Sequence, residues 1–161
     1  MRASDSAASD AGQRGLTITR TFDAPREVVF AAWTDAKQAA QWWGPQGFTT
    51  ISCEMDVRVG GAYRACMRSP EGTRHCRRGT YREIVPPERL VFTFAWEDAA
   101  GDLGHETLVT VTFADAGRGK TRLTLHQALF ETESARDAHQ GGWASCLERF
   151  AAYLAGAAAD H

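Results

Sequence analysis

The chain has 161 residues and a formal net charge of −2, and it is 43% hydrophobic and 24% charged. These values are ordinary for a globular protein and suit one domain with a single sizeable core. No apolar run approaches the roughly 20 residues of a membrane span, and the small net charge provides no whole-molecule field to attract nucleic acid. The chain is rich in aromatic residues, with five Trp, three Tyr and eight Phe.

The first fifteen residues form a polar tail rich in Ala, Ser and Asp, and we predict that residues 1–15 are disordered. The tail lacks the apolar segment of a secretion signal, so the cytoplasm is the expected location. A reducing compartment and the lack of a C-x-x-C pair predict that all four cysteines are free thiols. His75 stands near two of them, but the spacing matches no zinc-site pattern, so we predict no metal site and no cofactor. The cysteines are Cys53, Cys66, Cys76 and Cys146.

The chain begins with one predicted strand and two short helices. Alternating apolar and polar residues over Leu16–Phe22 indicate a half-buried strand. Pro25 then stands in the first turn of a predicted helix, as proline often does. A second helix is predicted over Ala36–Trp42, and it ends at Gly44 and Pro45 because neither residue continues a helix well.

Six further strands are predicted between residues 48 and 128. Each is an alternating segment bounded by turn residues, and the short connections imply antiparallel hairpins. Each strand presents an apolar face and a polar face, as expected for an antiparallel sheet with one side in water. The predicted strands are Phe48–Val57, Ala62–Arg68, Arg74–Val85, Arg89–Trp96, His105–Phe113 and Lys120–Ala128.

A long amphipathic helix is predicted at the C-terminal end. Ser134 and Asp137 have the spacing of a capping box, and apolar residues recur at helical spacing from Trp143 onward. We predict that Gly156 ends the helix and that residues 156–161 are frayed. This helix is the only element long and apolar enough to cover the inner face of the sheet.

These elements predict an α+β fold, in which a curved seven-stranded antiparallel sheet surrounds one long C-terminal helix in the order β-α-α-β6-α. One domain is expected over residues 16–155. Gly141 and Gly142 lie inside the helix, where each costs roughly 1 kcal/mol relative to Ala. We favour close backbone packing or a bend as the reason for them over contact with a ligand, although the same gap could open a pocket mouth.

Eight arginines and three acidic residues lie between positions 58 and 89, which makes this region locally basic. A solvated outer sheet face is the expected explanation, since basic residues discourage pairing between sheet edges. A docking surface for an acidic protein or an anionic head group is the alternative. The arginines are Arg58, Arg64, Arg68, Arg74, Arg77, Arg78, Arg82 and Arg89.

The inward-facing rings either fill a core or line a cavity, and their pattern is compatible with both. The polar residues near such a cavity include no nucleophile motif. His105 and Glu106 are adjacent on one segment and point to opposite faces, so they do not form an acid/base pair on one substrate. We therefore predict no catalytic residue. The polar residues are Glu54, Asp56, Tyr63, Glu83, His105, Glu106, His126, Gln127 and His139.

The element order resembles the helix-grip fold of the START-like (SRPBCC) superfamily. Several segments are similar to its bacterial branch related to the C-terminal domain of the activator of the heat-shock protein 90 ATPase. The resemblance covers about Leu16 to Leu154. The matching segments are Arg20–Pro25, Val29–Asp35, Gln41–Pro45, Met55–Tyr63, Pro87–Thr93 and His105–Thr107, with Gly142 and Trp143 leading into Leu147.

The resemblance implies a deep apolar cavity between the sheet and the C-terminal helix, and a protein that binds a small hydrophobic or aromatic molecule there. It also implies two alternatives: a co-chaperone-like partner that stimulates a heat-shock chaperone ATPase in a stress response, and a cyclase- or aromatase-like enzyme. Family members often form homodimers, although no interface signal is visible here. The residues expected to line the cavity are Trp42, Trp43, Phe48, Tyr63, Met67, Phe92, Phe94, Trp96, Val109, Val111, Trp143 and Leu147.

Overall fold

One antiparallel sheet and three helices make up residues 15–159, the part of the chain that the computed structural model describes. Nearly all of the predicted tail, and the last two residues of the predicted frayed end, lie outside these residues. The elements are β1 Leu16–Phe22, α1 Arg26–Thr34, α2 Ala36–Trp42, β2 Thr49–Met55, β3 Ala62–Arg68, β4 Arg74–Val85, β5 Arg89–Trp96, β6 Thr107–Gly117, β7 Lys120–Ala128 and α3 Glu133–Ala159.

The seven strands form one sheet in the order β1-β7-β6-β5-β4-β3-β2, with every neighbouring pair antiparallel. The sheet curls around α3, whose Trp143, Leu147 and Phe150 are buried in the core. This is the predicted α+β helix-grip architecture. Within the described residues, no helix is long and apolar enough to cross a membrane.

Phe150 of α3 is fully buried in the core and packs against rings from three other elements. Its ring lies 5.0 Å from the ring of Phe22 and 4.5 Å from that of Trp42, and Trp33 packs edge-on at 6.1 Å. Burial of each large ring contributes roughly 1.5–3 kcal/mol relative to exposure. The helix is therefore held to β1, α1 and α2 by aromatic packing at this end of the molecule.

The backbones of β4 and β5 approach each other closely at Gly79. A Cβ at Gly79 would overlap the carbonyl of Thr93, so only glycine allows the two backbones to approach this closely. The Tyr63 hydroxyl donates a hydrogen bond to the same Thr93 carbonyl at 2.6 Å, and the Thr80 N–H donates to the Thr93 hydroxyl at 2.8 Å. These contacts tie β3, β4 and β5 together at Thr93.

Both ends of α3 differ from the prediction. Thr132, and not Ser134, caps the helix, because its hydroxyl accepts a hydrogen bond from the N–H of Ala135 at 3.0 Å. The helix also continues through Gly156 to Ala159. A glycine after a helical pattern permits termination but does not enforce it.

The prediction of four free thiols is wrong for one pair. Cys66 and Cys76 form a disulfide, whereas Cys53 and Cys146 are free. The antiparallel register places Cys66 directly opposite Cys76 on β3 and β4, with their Cα atoms 4.1 Å apart. The spacing of the cysteines in the sequence does not indicate this disulfide, because the pairing follows only from the register between β3 and β4.

Candidate functional site

A pocket of about 270 Å³ lies between the inner faces of β3, β4 and β5, the N-terminal half of α3 and the loop that follows α2. Ligand sites commonly have volumes of roughly 300–1,000 Å³, so this pocket suits a small ligand. Its walls are mostly aromatic and sulfur-containing. The lining residues are Trp43, Gly44, Pro45, Phe48, Met67, His75, Arg77, Phe94, Trp96, Ala138, His139, Gly142, Trp143 and Cys146.

Half of the twelve residues predicted to line a cavity surround this pocket: Trp43, Phe48, Met67, Phe94, Trp96 and Trp143. The other half lie in the filled core. Strand alternation selects the inner face correctly, but it does not show which part of that face stays open. A ligand-binding role for these residues remains a prediction. The six core residues are Trp42, Tyr63, Phe92, Val109, Val111 and Leu147.

Arg149 of α3 holds the pocket loop, residues 43–48, in place. Its Nη1 donates to the carbonyls of Gly44, Pro45 and Phe48 at 3.1, 3.0 and 3.2 Å. Gly44 has a φ of +132°, and a Cβ there would stand 3.1 Å from the Met67 sulfur. The loop therefore needs glycine at the position where it forms the pocket wall.

A network of hydrogen bonds fixes the polar groups behind the rings. The Gln127 side-chain oxygen accepts from the Trp143 indole N–H at 2.7 Å and bonds to His139 Nδ1 at 3.1 Å. The Gln127 amide nitrogen donates to the Thr107 hydroxyl at 2.8 Å. Because Gln127 is fully buried, these partners satisfy an amide that would otherwise be costly to bury. The network orients one indole of the pocket wall.

His139 takes part in this network as a neutral imidazole. The Trp96 indole N–H donates to His139 Nε2 at 2.9 Å, so the proton of the imidazole is on Nδ1 and is donated to Gln127. Burial, together with the charge of Arg77, lowers the pKa of His139 to about 4. Both ring nitrogens are occupied, so His139 orients Trp96 and has no nitrogen available to take a proton from a substrate.

Arg77 supplies positive charge at the pocket wall. The residue is only 2% exposed, and its guanidinium carbon lies 4.2 Å from the centre of the Trp43 ring. Its Nη1 donates to the Met67 sulfur at 3.4 Å, a weak acceptor. The expectation that all the arginines of this region lie on a solvated outer face is therefore wrong for Arg77. The reason is that Arg77 shares the inner face of β4 with His75 and Tyr81.

The outer side of the same strands carries arginines that are paired. Arg64 binds the Glu97 carboxylate with two hydrogen bonds, of 2.7 and 2.9 Å, and Arg78 Nε lies 3.6 Å from the same carboxylate. The hydrogen bond from Arg64 holds the pKa of Glu97 below its usual range. Part of the basic outer face is thus neutralised within the protein.

The family model for Activator of Hsp90 ATPase homolog 1-like proteins matches residues 23–155. The chain belongs to this family. Its fold is similar to that of the AHSA1 protein from Silicibacter pomeroyi, with 30% identity, a TM-score of 0.80 and coverage of 88% of this chain and 97% of that one. A search of curated proteins found no significant match.

Two further solved structures extend the comparison. A protein from Chromobacterium violaceum is 30% identical with a TM-score of 0.73, and the match covers 86% of this chain and 94% of that one. A protein from Arthrobacter aurescens is 28% identical with a TM-score of 0.77, and the match covers 88% and 86%. The activator-like fold is therefore shared over nearly the whole of these proteins.

For the helix glycines of this activator-like protein, the expectation of close packing is wrong, whereas the bend stays a prediction. A Cβ at Gly141 or at Gly142 would meet no heavy atom within 4 Å. Gly142 lines the pocket, whereas Gly141 is exposed. The alternative, that this gap opens the pocket on the helix side, fits the observed positions.

Sequence reasoning missed several residues of the site. Arg77 had a usable signal, because it lies an even number of positions from His75 and Tyr81 on one strand. No sequence signal identified Arg149, because an arginine next to the apolar face of a helix is common. Of the acidic candidates, Asp56 binds Arg58 at 2.8 Å and Glu83 binds Arg89 at 2.9 Å, and neither lines the pocket.

Proposed function

We propose that the protein binds a small hydrophobic or aromatic molecule in the pocket between the sheet and α3. The observation that carries this proposal is a solvent-open pocket whose walls are large apolar side chains at the margin of the filled core. Aromatic walls suit an aromatic ligand, because offset and edge-to-face ring contacts add to the burial of apolar area.

The anchored loop and network support a preformed site. Arg149 fixes the loop that carries Trp43 and Phe48, and Gln127 fixes Trp143. A wall whose side chains are already ordered loses little conformational entropy when a ligand enters. The single chain can therefore hold its ligand without rearranging the sheet.

The two helix glycines provide a matched test. Gly142→Leu would place a side chain in the pocket, whereas Gly141→Leu would place the same side chain in solvent one residue earlier. Both changes remove a glycine from a helix interior, so both are expected to stabilise α3 by about 0.5–1 kcal/mol. They differ only in whether the pocket is filled.

We expect neutral aromatic compounds, with 2-naphthamide as the reference, to shift the indole N–H signals of Trp43, Trp96 and Trp143 in two-dimensional NMR titrations. Binding is expected to be lost in Gly142→Leu and retained in Gly141→Leu. A library in which no compound binds the wild type more tightly than Gly142→Leu would contradict the proposal.

The family name motivates a second candidate, in which the protein stimulates a chaperone ATPase. The partly basic outer face around Arg64 and Arg78 is the surface available for such a contact. Purified chaperone ATPase measured with and without the protein tests this candidate, and an unchanged rate at saturating protein would remove it. A cyclase-like or aromatase-like reaction has weaker support, because both nitrogens of His139 are already hydrogen-bonded.

A further inference from the structure

Arg77 is a buried cation for which the described part of the chain supplies no anion. No carboxylate of residues 15–159 lies within ion-pair distance of its guanidinium. Its Nε is fully buried and makes no hydrogen bond, and its Nη1 has only the Met67 thioether as an acceptor. Buried charges are normally paired, because an unpaired ion loses its hydration without compensation.

None of the described groups around Arg77 neutralises its positive charge. The Trp43 ring contributes a cation–π contact, which is weaker than an ion pair. His139 is neutral, and the Cys146 thiol is also neutral because burial raises its pKa to about 11. Burial lowers the pKa of Arg77, but a guanidinium stays protonated at neutral pH. The pocket wall therefore carries one uncompensated positive charge.

We propose that the natural ligand is a small aromatic carboxylate, whose carboxylate pairs with Arg77 while its ring packs among the pocket's aromatic side chains. This proposal rests on the proposed function and names the chemical class of the ligand. A planar guanidinium matches a carboxylate with two parallel hydrogen bonds. One Arg77 neutralises one negative charge, so a monoanion fits better than a doubly charged phosphate in a pocket without a second arginine among its lining residues.

The size of the pocket restricts the ligand further. A volume of about 270 Å³ lies just below the range of ordinary ligand sites, so it suits a compound of one or two rings. The lining residues around Arg77 are Trp43 and Met67, in direct contact with it, and Phe94, Trp96 and Trp143 on the remaining walls.

The test compares 2-naphthoate with 2-naphthamide, two compounds of nearly equal shape that differ in charge. On the full chain, we expect the acid to bind roughly 10- to 100-fold more tightly than the amide, as measured by isothermal titration calorimetry. Arg77→Met is expected to abolish this preference, so that the ratio of acid to amide affinity falls to about one. Arg78→Met, the outward-facing neighbour, is the control and should keep the preference.

The outcomes separate this inference from the proposed function. If the amide binds and the acid binds no more tightly to the wild type, the carboxylate proposal is overturned and the hydrophobic pocket stands. If neither compound nor any library member binds, both proposals fail. If Arg77→Met does not fold, the ratio of acid to amide affinity in the wild type still tests the carboxylate proposal. Arg77→Lys provides a second variant, which retains the positive charge but lacks the planar guanidinium.

Discussion

Two adjacent arginines of β4 lie in opposite environments. Arg77 points to the inner face, where its guanidinium is buried against Trp43 and lacks an anionic partner among the described residues. Arg78 points to the outer face, where it shares the Glu97 carboxylate with Arg64. Strand alternation separates them by a single residue, so one position decides whether an arginine is paired on the outer face or buried without a carboxylate partner among the described residues.

The two faces differ in whether each arginine has a carboxylate partner, and this pairing determines how the arginine affects the stability of the fold. The outer arginines keep contact with water and have a carboxylate, so removal of either is expected to change stability little. The inner arginine is buried and has no carboxylate partner among the described residues, so its desolvation opposes folding.

The largest expected effect is a change of the free energy of unfolding with pH. His139 on the inner side and Glu97 on the outer side lose their contributions in different pH ranges. Folding lowers the pKa of His139 from 6.5 to about 4, so the unfolded chain binds more protons between these values. The stability that depends on neutral His139 is present above pH 6.5 and is lost as the pH falls toward 4. Glu97 also has a lowered pKa, so its contribution is lost only at more acidic pH.

Between pH 7 and pH 5 we expect the free energy of unfolding to fall by about 2 kcal/mol through His139 alone, as measured by urea denaturation. Protonation of Nε2 would place two donors, the imidazolium and the Trp96 indole, against each other. His139→Gln should remove most of this pH dependence, whereas His105→Gln, at an exposed position, should leave it intact. Equal pH dependence in the wild type and in His139→Gln would show that another group is responsible.

The next effect concerns the inner arginine itself. In the ligand-free protein, Arg77→Met is expected to raise the free energy of unfolding by about 1–2 kcal/mol, because it removes a buried unpaired charge and retains an apolar side chain. The lost cation–π contact with Trp43 offsets part of this gain. Thermal unfolding at neutral pH measures the change.

Arg78→Met on the outer face provides the matched comparison and should be neutral or slightly destabilising. If Arg77→Met were instead less stable than Arg78→Met, the inner guanidinium would be contributing to the fold, and the contrast between the two faces would fail.

The amphipathic pattern was sufficient to predict the architecture. Alternation over Arg89–Trp96 and Lys120–Ala128, together with helical spacing from Trp143, identified the strands and the helix that the sheet surrounds. These signals are local, because a buried face imposes a period of 2 on a strand and of 3.6 on a helix. Details that depend on partners, such as the Thr132 cap, were predicted less well.

The site depends on information that is not local. The Cys66–Cys76 disulfide follows from the register between β3 and β4, and the Arg149 contacts follow from the place where the loop after α2 meets α3. Trp42 and Trp43 are adjacent in sequence and both are buried in the core, yet only Trp43 also lines the pocket. Composition and period assign both residues to the interior but do not locate the unfilled space.

The smallest expected effect is at the outer carboxylate. Glu97→Gln removes its charge but keeps its shape, and we expect a loss below about 1 kcal/mol at 0.15 M salt because Arg64 and Arg78 remain in contact with water. The Glu97 side chain is itself only 6% exposed. The small expected loss therefore rests on the exposure of its arginine partners to water and not on the exposure of Glu97. A double-mutant cycle with Arg64→Met isolates the pair.

A coupling energy well above 1 kcal/mol would show that the outer pair behaves as a buried ion pair despite the exposure of Arg64. The contrast would then be that Arg78 has a carboxylate partner and Arg77 has none among the described residues. Exposure to solvent would no longer be needed to explain their different effects on stability. A small coupling energy that falls further as salt is raised would support both causes, because screening acts on charges that water can reach. The size of this smallest effect therefore determines whether pairing alone, or pairing together with hydration, distinguishes the two faces of β4.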